Sequence, residues 1–140
     1  MNKTKILINQ ELYESGVNDV VAHLRFGDSI WVDQTYSEYT EILLKLNDYN
    51  KKILICTDEP DKAILCCKKA KVYNYSFSEG GLMSDFKAML NCKVLGVSKS
   101  TLSWWAARLN TEACDIFISS ETIGLLGSPV QKSNVNMHIL

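Results

Sequence analysis

The chain has 140 residues, with 15 basic and 16 acidic side chains and a net charge of −1. That length predicts one domain, and it is sufficient to bury a hydrophobic core without disulfide or metal staples. The near-neutral charge argues against nucleic acid and anionic lipid as partners, because both attract strongly basic surfaces. Any anion site in this protein is therefore expected to be local.

The five cysteines favour a reducing, cytoplasmic compartment, because most lie in apolar stretches and no C-x-x-C spacing occurs. Neither histidine lies near a cysteine in a spacing typical of zinc, so no metal site is expected. The first residues lack the apolar core of a secretory signal, and no apolar run approaches the roughly 20 residues of a membrane helix. We therefore expect no signal peptide, no metal and no membrane span.

Short apolar runs alternate with helical patterns along the chain. Strands are expected at 20–25, 52–56, 71–75, 93–97 and 115–118, and helices at 36–49, 61–69, 84–91 and 101–109. Thr35 and Glu38 have capping-box spacing at the start of the first helix. The alternation predicts a single α/β, Rossmann-like domain with a mostly parallel sheet and helices on both faces.

The expected organisation has three parts. Residues 1–19 form an N-terminal lead-in, residues 20–123 form the Rossmann-like domain, and residues 124–140 form an irregular tail rich in polar residues. His138 lies in that tail and is expected to be a surface residue. In sheets of this class, ligands bind outside the carboxyl ends of the strands. That rule selects the loops 26–33, 57–60, 76–85 and 98–101 as the place for a site.

Arg25 lies at the end of the first predicted strand and is followed by a Gly-Asp break. Because side chains alternate along a strand, His23 and Arg25 are predicted to point to the same side. A guanidinium group at a strand end can bind a diphosphate through two oxygens at once. The alternative is an edge arginine paired with Asp28 or Glu59, and this segment alone leaves both open.

The segment Ser98-Lys99-Ser100-Thr101 stands immediately before a predicted helix. Hydroxyl groups and free backbone N–H groups at a helix N-terminus can bind an anion. Ser100 or Thr101 can equally serve as the N-cap, and the two roles are compatible. Neither a P-loop nor a G-x-G-x-x-G motif occurs, so this is not a P-loop or a nicotinamide fingerprint.

Three acidic residues, Asp58, Glu79 and Asp85, lie in loops at other strand ends. Asp85 begins a helix after Gly80-Gly81, where it can complement the helix dipole or accept hydrogen bonds from a purine or a ribose. Thr57-Asp58 follows the second predicted strand and has the same two possible roles.

The adjacent tryptophans Trp104-Trp105 are expected to divide between the core and a neighbouring element, because they cannot share one helix face.

Three segments, in this order, resemble motifs of the α-1,2-fucosyltransferases of the glycosyltransferase family 11 type, and more distantly of α-1,6- and protein O-fucosyltransferases. His23–Asp28 (HLRFGD) resembles the family's H-x-R-R-x-D, and Ile53–Pro60 (ILICTDEP) resembles a strand followed by S-D-[DE]-P. Asp85–Leu109 resembles D-x-x-x-M-x-x-C-x-x-x-I-x-x-N-S-[ST]-F-S-W-W-x-A-x-L. The resemblance covers about residues 20–110, and the Ser-Trp-Trp segment is its most specific part.

The resemblance implies the donor-binding, C-terminal half of a GT-B glycosyltransferase that transfers fucose from GDP-fucose to a glycan hydroxyl, with inversion and without a metal or other cofactor. It implies that Arg25 holds the β-phosphate and stabilises the departing GDP, and that His23 supports the nucleotide pocket. It further implies that Asp85 recognises guanine and that Ser100 and Thr101 contact the diphosphate. Leaving-group charge would then be met by arginine and by oriented donors.

The substrate-binding set expected from these motifs comprises His23, Asp28, Thr57, Asp58, Asp85, Ser98, Lys99, Ser100 and Thr101, with Arg25 as the catalytic residue. Two positions differ from the family. Its second arginine is Phe26 here, and its Asn-Ser pair is Lys99-Ser100, so we hypothesise that Lys99 restores the lost positive charge.

Only 19 residues precede the strand that carries the first motif, so the acceptor-side half is expected outside this chain, in a partner domain or a second copy. The catalytic base stays open among His23, Asp28, Glu79 and the absent half. A catalytically silent nucleotide- or glycan-binding module that keeps the fold is the alternative function. A regulatory Rossmann-like domain unrelated to sugars is a third.

Overall fold

The computed structural model describes residues 19–27, 32–130 and 134–140, without the side chains of residues 32–34. Its strands are β1 (Val20–Leu24), β2 (Ile53–Thr57), β3 (Tyr75–Phe77), β4 (Val94–Val97), β5 (Asp115–Ile118) and β6 (Asn136–Ile139). Its helices are α1 (Val32–Asn47), α2 (Pro60–Ala70), α3 (Leu82–Leu90), α4 (Thr101–Leu109) and α5 (Ser120–Leu126).

The strands described form one sheet in the order β3-β2-β1-β4-β5-β6, and every neighbouring pair is parallel. The predicted α/β, Rossmann-like class is therefore confirmed. From β1 the chain proceeds towards one edge of the sheet, and from β4 it proceeds towards the other. The strand order thus reverses between β1 and β4, which is where sheets of this kind open a ligand crevice.

Side chains of β1 alternate between two hydrophobic clusters. Val20, Ala22 and Leu24 pack with α1 and α2, whereas Val21 packs with α3 and α4. Helices therefore cover both faces of the sheet, as expected. A strand buried on both faces needs a continuous apolar run, which explains why VVAHL carries one polar residue only.

Two elements begin four residues away from the predicted position, one helix and one strand. Helix α1 begins at Val32, so Thr35 is a buried residue inside the helix and not its cap. Thr35 and Tyr39 are about one helical turn apart, so both lie on the face of α1 that packs against the sheet. The third strand is shifted to Tyr75–Phe77 because Lys71 adopts a left-handed conformation, with φ 56°, and its N–H closes the end of α2.

The expected irregular tail is also wrong, because α5 reaches Leu126 and β6 occupies Asn136–Ile139. Strand β6 pairs with β5 over four residues. His138 stacks on Phe117 with ring centroids 4.3 Å apart, and its Nε2 lies 2.8 Å from Asp115 Oδ1. These contacts with β5 offset the weak strand propensity of an asparagine-containing segment.

At Gly96 in β4, helix α1 lies close against the sheet. A Cβ atom there would lie 2.6 Å from Ile42 Cγ2 and 3.2 Å from Leu46 Cδ1. We expect Gly96→Ala to lower the free energy of unfolding by about 1–3 kcal/mol, because an overpacked core must shift backbone or rotamers. Urea denaturation at an unchanged m-value measures this loss.

Gly124→Ala is the matched control. Gly124 is an exposed residue of α5 whose added Cβ would meet nothing within 4 Å. Alanine is favoured over glycine within a helix by about 1 kcal/mol, so this variant should be as stable as the parent or more so. Equal stability of both variants would contradict the close packing of α1 on β4.

Candidate functional site

The loops that follow β1 and β4 meet at the point where the strand order reverses. His23 of β1 and Ser98, just beyond β4, join them through a hydrogen bond of 2.7 Å between Nδ1 and Oγ. Ser98 Oγ also lies 3.2 Å from Ser103 Oγ of α4. All three residues are buried. Buried polar groups stay paired, so this network holds the two loops and α4 in one arrangement.

His23 is neutral at physiological pH. Burial lowers its pKa to about 4, although the nearby carboxylates of Asp85 and Asp58 act in the opposite direction. A ring with so low a pKa is a weak proton acceptor near pH 7. His23 is therefore suited to orienting Ser98, and it is a poor candidate for the general base.

Asp58, beyond β2, supports the loop that carries Arg25. Its Oδ1 accepts a hydrogen bond of 2.9 Å from the N–H of Phe26, and its Oδ2 accepts one of 2.8 Å from Gly27. Burial opposes ionisation, yet these two N–H groups and the charge of Arg25 hold the pKa of Asp58 below its ordinary value. Thr57 Oγ1 donates to the carbonyl of Leu24 over 2.6 Å. Thr57 and Asp58 therefore shape the β1 loop.

Arg25 is exposed immediately beyond β1. Its backbone carbonyl accepts a hydrogen bond from the Tyr39 hydroxyl of α1. Within the described part of the chain its guanidinium makes no ion pair shorter than 4.0 Å, so the expected pairing with Glu59 is not observed. Asp28, the other expected partner and a predicted substrate-binding residue, lies outside the described residues. The backbone of Arg25 is anchored, while its side chain is accessible beyond the end of β1.

Phe26, unlike its neighbour Arg25, points into the hydrophobic core. It is buried in the cluster formed with α1 and α2, where its ring centroid lies 5.5 Å from that of Tyr36 and 5.2 Å from that of Tyr39. This is the position at which the resembled family has its second arginine. An arginine placed there with this backbone would have to bury its charge among aromatic rings, which is costly.

The segment after β4 caps α4. Ser100 is the N-cap, and its Oγ accepts a hydrogen bond of 3.2 Å from the N–H of Leu102, while Thr101 is exposed in the first turn. Lys99 points towards acidic residues: its Nζ lies 2.8 Å from Glu121 Oε1 and 3.8 Å from Glu38 Oε1. These two carboxylates balance the charge of Lys99 within the protein, which does not support the hypothesis that Lys99 replaces the missing arginine.

Asp85 lies in the first turn of α3, next to the buried network. Its Oδ1 accepts a hydrogen bond of 2.6 Å from Ser78 Oγ, which ties the β3–α3 loop to the helix. Its charge acts on His23, and it raises the pKa of Cys56 after the larger effect of burial. Asp85 therefore lies near His23 in the folded protein, as the order of the strands predicts. Glu79 is exposed in the same loop.

Three contributors were not identified from the sequence. Tyr39 reads as an apolar position of an amphipathic helix, yet its hydroxyl binds the Arg25 carbonyl. Glu38 and Glu121 are 83 residues apart in the sequence, yet both lie beside Lys99. Periodicity can place such residues on a helix, but it cannot identify their partners.

The expectation that one of the two tryptophans fills the core is wrong. Trp105 is half exposed, and Trp104 is partly buried with its Nε1 donating to the carbonyl of Gly127 over 2.9 Å. Helix α4 instead buries the small residues Ser103, Ala106 and Ala107. Small side chains allow the helix to approach the sheet closely, and the tryptophans are left on its outer side.

A scan of protein-family models, a search of curated proteins and a search of solved structures each found no match to this chain. Among the described residues, no helix is long and apolar enough to cross a membrane. The same residues contain no group of three or more histidine, cysteine and carboxylate side chains placed to hold a metal ion. All five cysteines are free thiols, four of them buried and Cys114 exposed.

Proposed function

We propose that this domain binds a nucleoside diphosphate sugar, specifically GDP-fucose, at the crevice between the ends of β1 and β4. The observation that supports this most strongly is the buried His23–Ser98 hydrogen bond, which joins the Arg25 loop to the N-terminus of α4. An exposed guanidinium and a helix N-terminus at one crevice are complementary to a diphosphate. The domain would then serve as the donor-binding half of an inverting, metal-independent fucosyltransferase of the GT-B type.

In this proposal Arg25 binds the diphosphate directly and stabilises the charge of the departing GDP. Thr101 and the cap residue Ser100 contact the same group from the start of α4. His23 and Ser98 position the two loops, because both are buried and bonded to each other. Thr57 and Asp58 hold the backbone on either side of Arg25, at Leu24, Phe26 and Gly27.

Asp85 is the proposed reader of guanine. One of its oxygens accepts the bond from Ser78. Base recognition would use its other oxygen. Lys99 would act through its own acidic partners, Glu38 and Glu121.

The acceptor in this proposal is a glycan hydroxyl, and the catalytic base comes from a partner domain or from a second copy of the chain. The four buried free thiols favour a reducing compartment such as the cytoplasm. The alternative, a module that binds the donor without transfer, is favoured by one observation. Phe26 is packed into the core at the position of the family's second arginine, so the donor-site charge which that arginine supplies is missing.

Calorimetry with GDP-fucose, GDP, UDP, UDP-sugars and ADP tests the proposal. We expect GDP and GDP-fucose to bind more tightly than the uridine and adenine compounds. A protein that binds no GDP at millimolar concentration would lack the proposed function. Binding of GDP-fucose without hydrolysis or transfer would favour the silent module.

A further inference from the structure

Two glutamates and a lysine form a charged cluster beside the β4 loop. Lys99 belongs to that loop, Glu38 to α1 and Glu121 to α5. The Nζ of Lys99 lies 2.8 Å from Glu121 Oε1 and 3.8 Å from Glu38 Oε1. The cluster therefore connects three elements at the carboxyl ends of the strands. With all three groups ionised, it carries a charge of −1.

One oxygen of this cluster is unsatisfied. Glu38 Oε2 is fully buried, and no hydrogen-bond donor of the described residues reaches it. An ionised carboxylate can only accept hydrogen bonds, whereas a protonated carboxyl also donates one. Leaving a buried charged oxygen unpaired is costly. Because Glu121 is a neighbouring acceptor, a proton on Glu38 would supply the missing hydrogen bond.

We propose that Glu38 and Glu121 share one proton at neutral pH, and that this proton sets the charge of the loop that carries Lys99. The proton comes from solvent and returns to it. With the proton bound, one carboxylate balances Lys99 and the cluster is neutral. Without it, the cluster gains a negative charge beside the Ser98–Thr101 segment.

The electrostatic surroundings of Glu38 agree with this arrangement. Burial, and then the hydrogen bond with Glu121, raise the pKa of Glu38 to about 7, while the ammonium of Lys99 acts in the opposite direction. Glu41, on the same helix, adds to the increase. The groups that face Glu38 are therefore Lys99 from the β4 loop, Glu121 from α5 and Glu41 from α1.

The direction of the stability effect follows from proton linkage. The folded protein holds the proton at pH values where the unfolded chain has released it, so the contribution to stability is complete below the unfolded pKa of about 4.3. It is lost progressively as the pH rises through the folded pKa of about 7. Above that pH, the cluster stays charged and no further loss is expected.

The effect on ligand binding depends on the proposed function. A diphosphate bound at Arg25 and α4 would be repelled by the extra negative charge that appears above pH 7. GDP affinity should therefore decrease as the proton is released. The pair would couple the pH of the surroundings to donor binding.

Carbon-13 NMR titration of the Glu38 carboxyl in the whole chain tests the shared proton without any substitution. We expect a midpoint within about one unit of 7, and a lower midpoint in Glu121→Gln, because the second carboxylate is then absent. A midpoint near the ordinary glutamate value of about 4.3 would overturn the proposal.

Glu38→Gln provides the matched variant. Its amide can donate to Glu121 as the protonated carboxyl does, so the contact is kept while the titration is removed. We expect the thermal stability of the parent to decrease between about pH 5 and pH 8 by more than that of Glu38→Gln. Equal decreases in the two proteins would contradict the shared proton.

GDP calorimetry at about pH 6 and pH 8 separates this inference from the proposed function. The parent should lose about threefold or more in affinity beyond the loss in Glu38→Gln, a comparison that removes the titration of GDP itself. No binding at either pH would refute the proposed function, while the carboxyl titration would still decide the shared proton. Equal losses in both proteins would refute the coupling of the proton to the loop.

Discussion

Arg25→Ala is expected to weaken GDP binding about 30- to 150-fold. This corresponds to the loss of about 2–3 kcal/mol from charge-assisted hydrogen bonds to the diphosphate. The side chain is exposed, and its loop is held through the backbone by Asp58 and Tyr39. The variant should therefore keep the stability of the parent. Calorimetry with GDP, together with a urea unfolding curve, measures both quantities.

Lys51→Ala is the matched control for Arg25→Ala. Lys51 is an exposed cation whose Nζ lies 2.8 Å from Asp19 Oδ2. Asp19 directly precedes β1, so this pair lies at the amino ends of the strands, opposite the end that carries Arg25. Its removal should leave GDP affinity within about twofold, because exposed pairs distant from a site contribute little. Arg25→Lys should restore only part of the affinity, since an ammonium cannot form the two-pronged contact. Unchanged affinity in Arg25→Ala would place the diphosphate elsewhere.

Asn110→Ala is expected to cause the largest loss of stability, about 3–5 kcal/mol. The Asn110 side chain is buried at the end of α4, where its Nδ2 donates to the carbonyls of Met89 and Cys92 over 2.8 and 2.9 Å. Its Oδ1 accepts from the N–H groups of Glu112 and Ala113 over 2.7 and 2.8 Å. Alanine would leave these backbone groups without partners, and each buried orphan costs about 1–3 kcal/mol.

Two comparisons make the Asn110 prediction specific. Asn110→Asp keeps an oxygen for Glu112 and Ala113 but loses the donor to Met89 and Cys92, so its loss should be clearly measurable too. Asn74→Ala removes an exposed amide and should change stability by less than about 0.5 kcal/mol. Chemical denaturation of the three variants gives these differences. An Asn110→Ala protein as stable as Asn74→Ala would show that solvent replaces the lost bonds.

Local patterns were sufficient for the parts of this fold whose signals lie close together in sequence. The bounds of α4 and β5 agree with prediction, and Ser100 is the cap because its hydroxyl binds an N–H two residues away. Strand β6 and the start of α1 were missed for one shared reason. Each is stabilised by packing against a distant segment, as the stacking of His138 on Phe117 and the burial of Thr35 within α1 show.

The same division applies to the candidate site. The strand-end rule selected the loops that contain Asp58, Asp85 and Ser98, and Arg25 was placed at the end of a strand beside them. The parallel sheet brings these loops to the same end of its strands. It could not indicate that Asp58 binds the backbone of the Arg25 loop, that Phe26 turns into the core, or that Lys99 faces two carboxylates. These contacts join residues that are far apart along the chain.

The sequence by itself determined the α/β class and the end of the strands at which polar loops gather. Both follow from the spacing of apolar residues and from the alternation of strands and helices along the chain. Only the tertiary structure decided which of those polar groups are already bonded to each other and which are accessible. His23 and Ser98 are bonded together and buried, whereas Arg25 is exposed. That difference arises because burial and pairing depend on the approach of separate strands and helices, which no local pattern specifies.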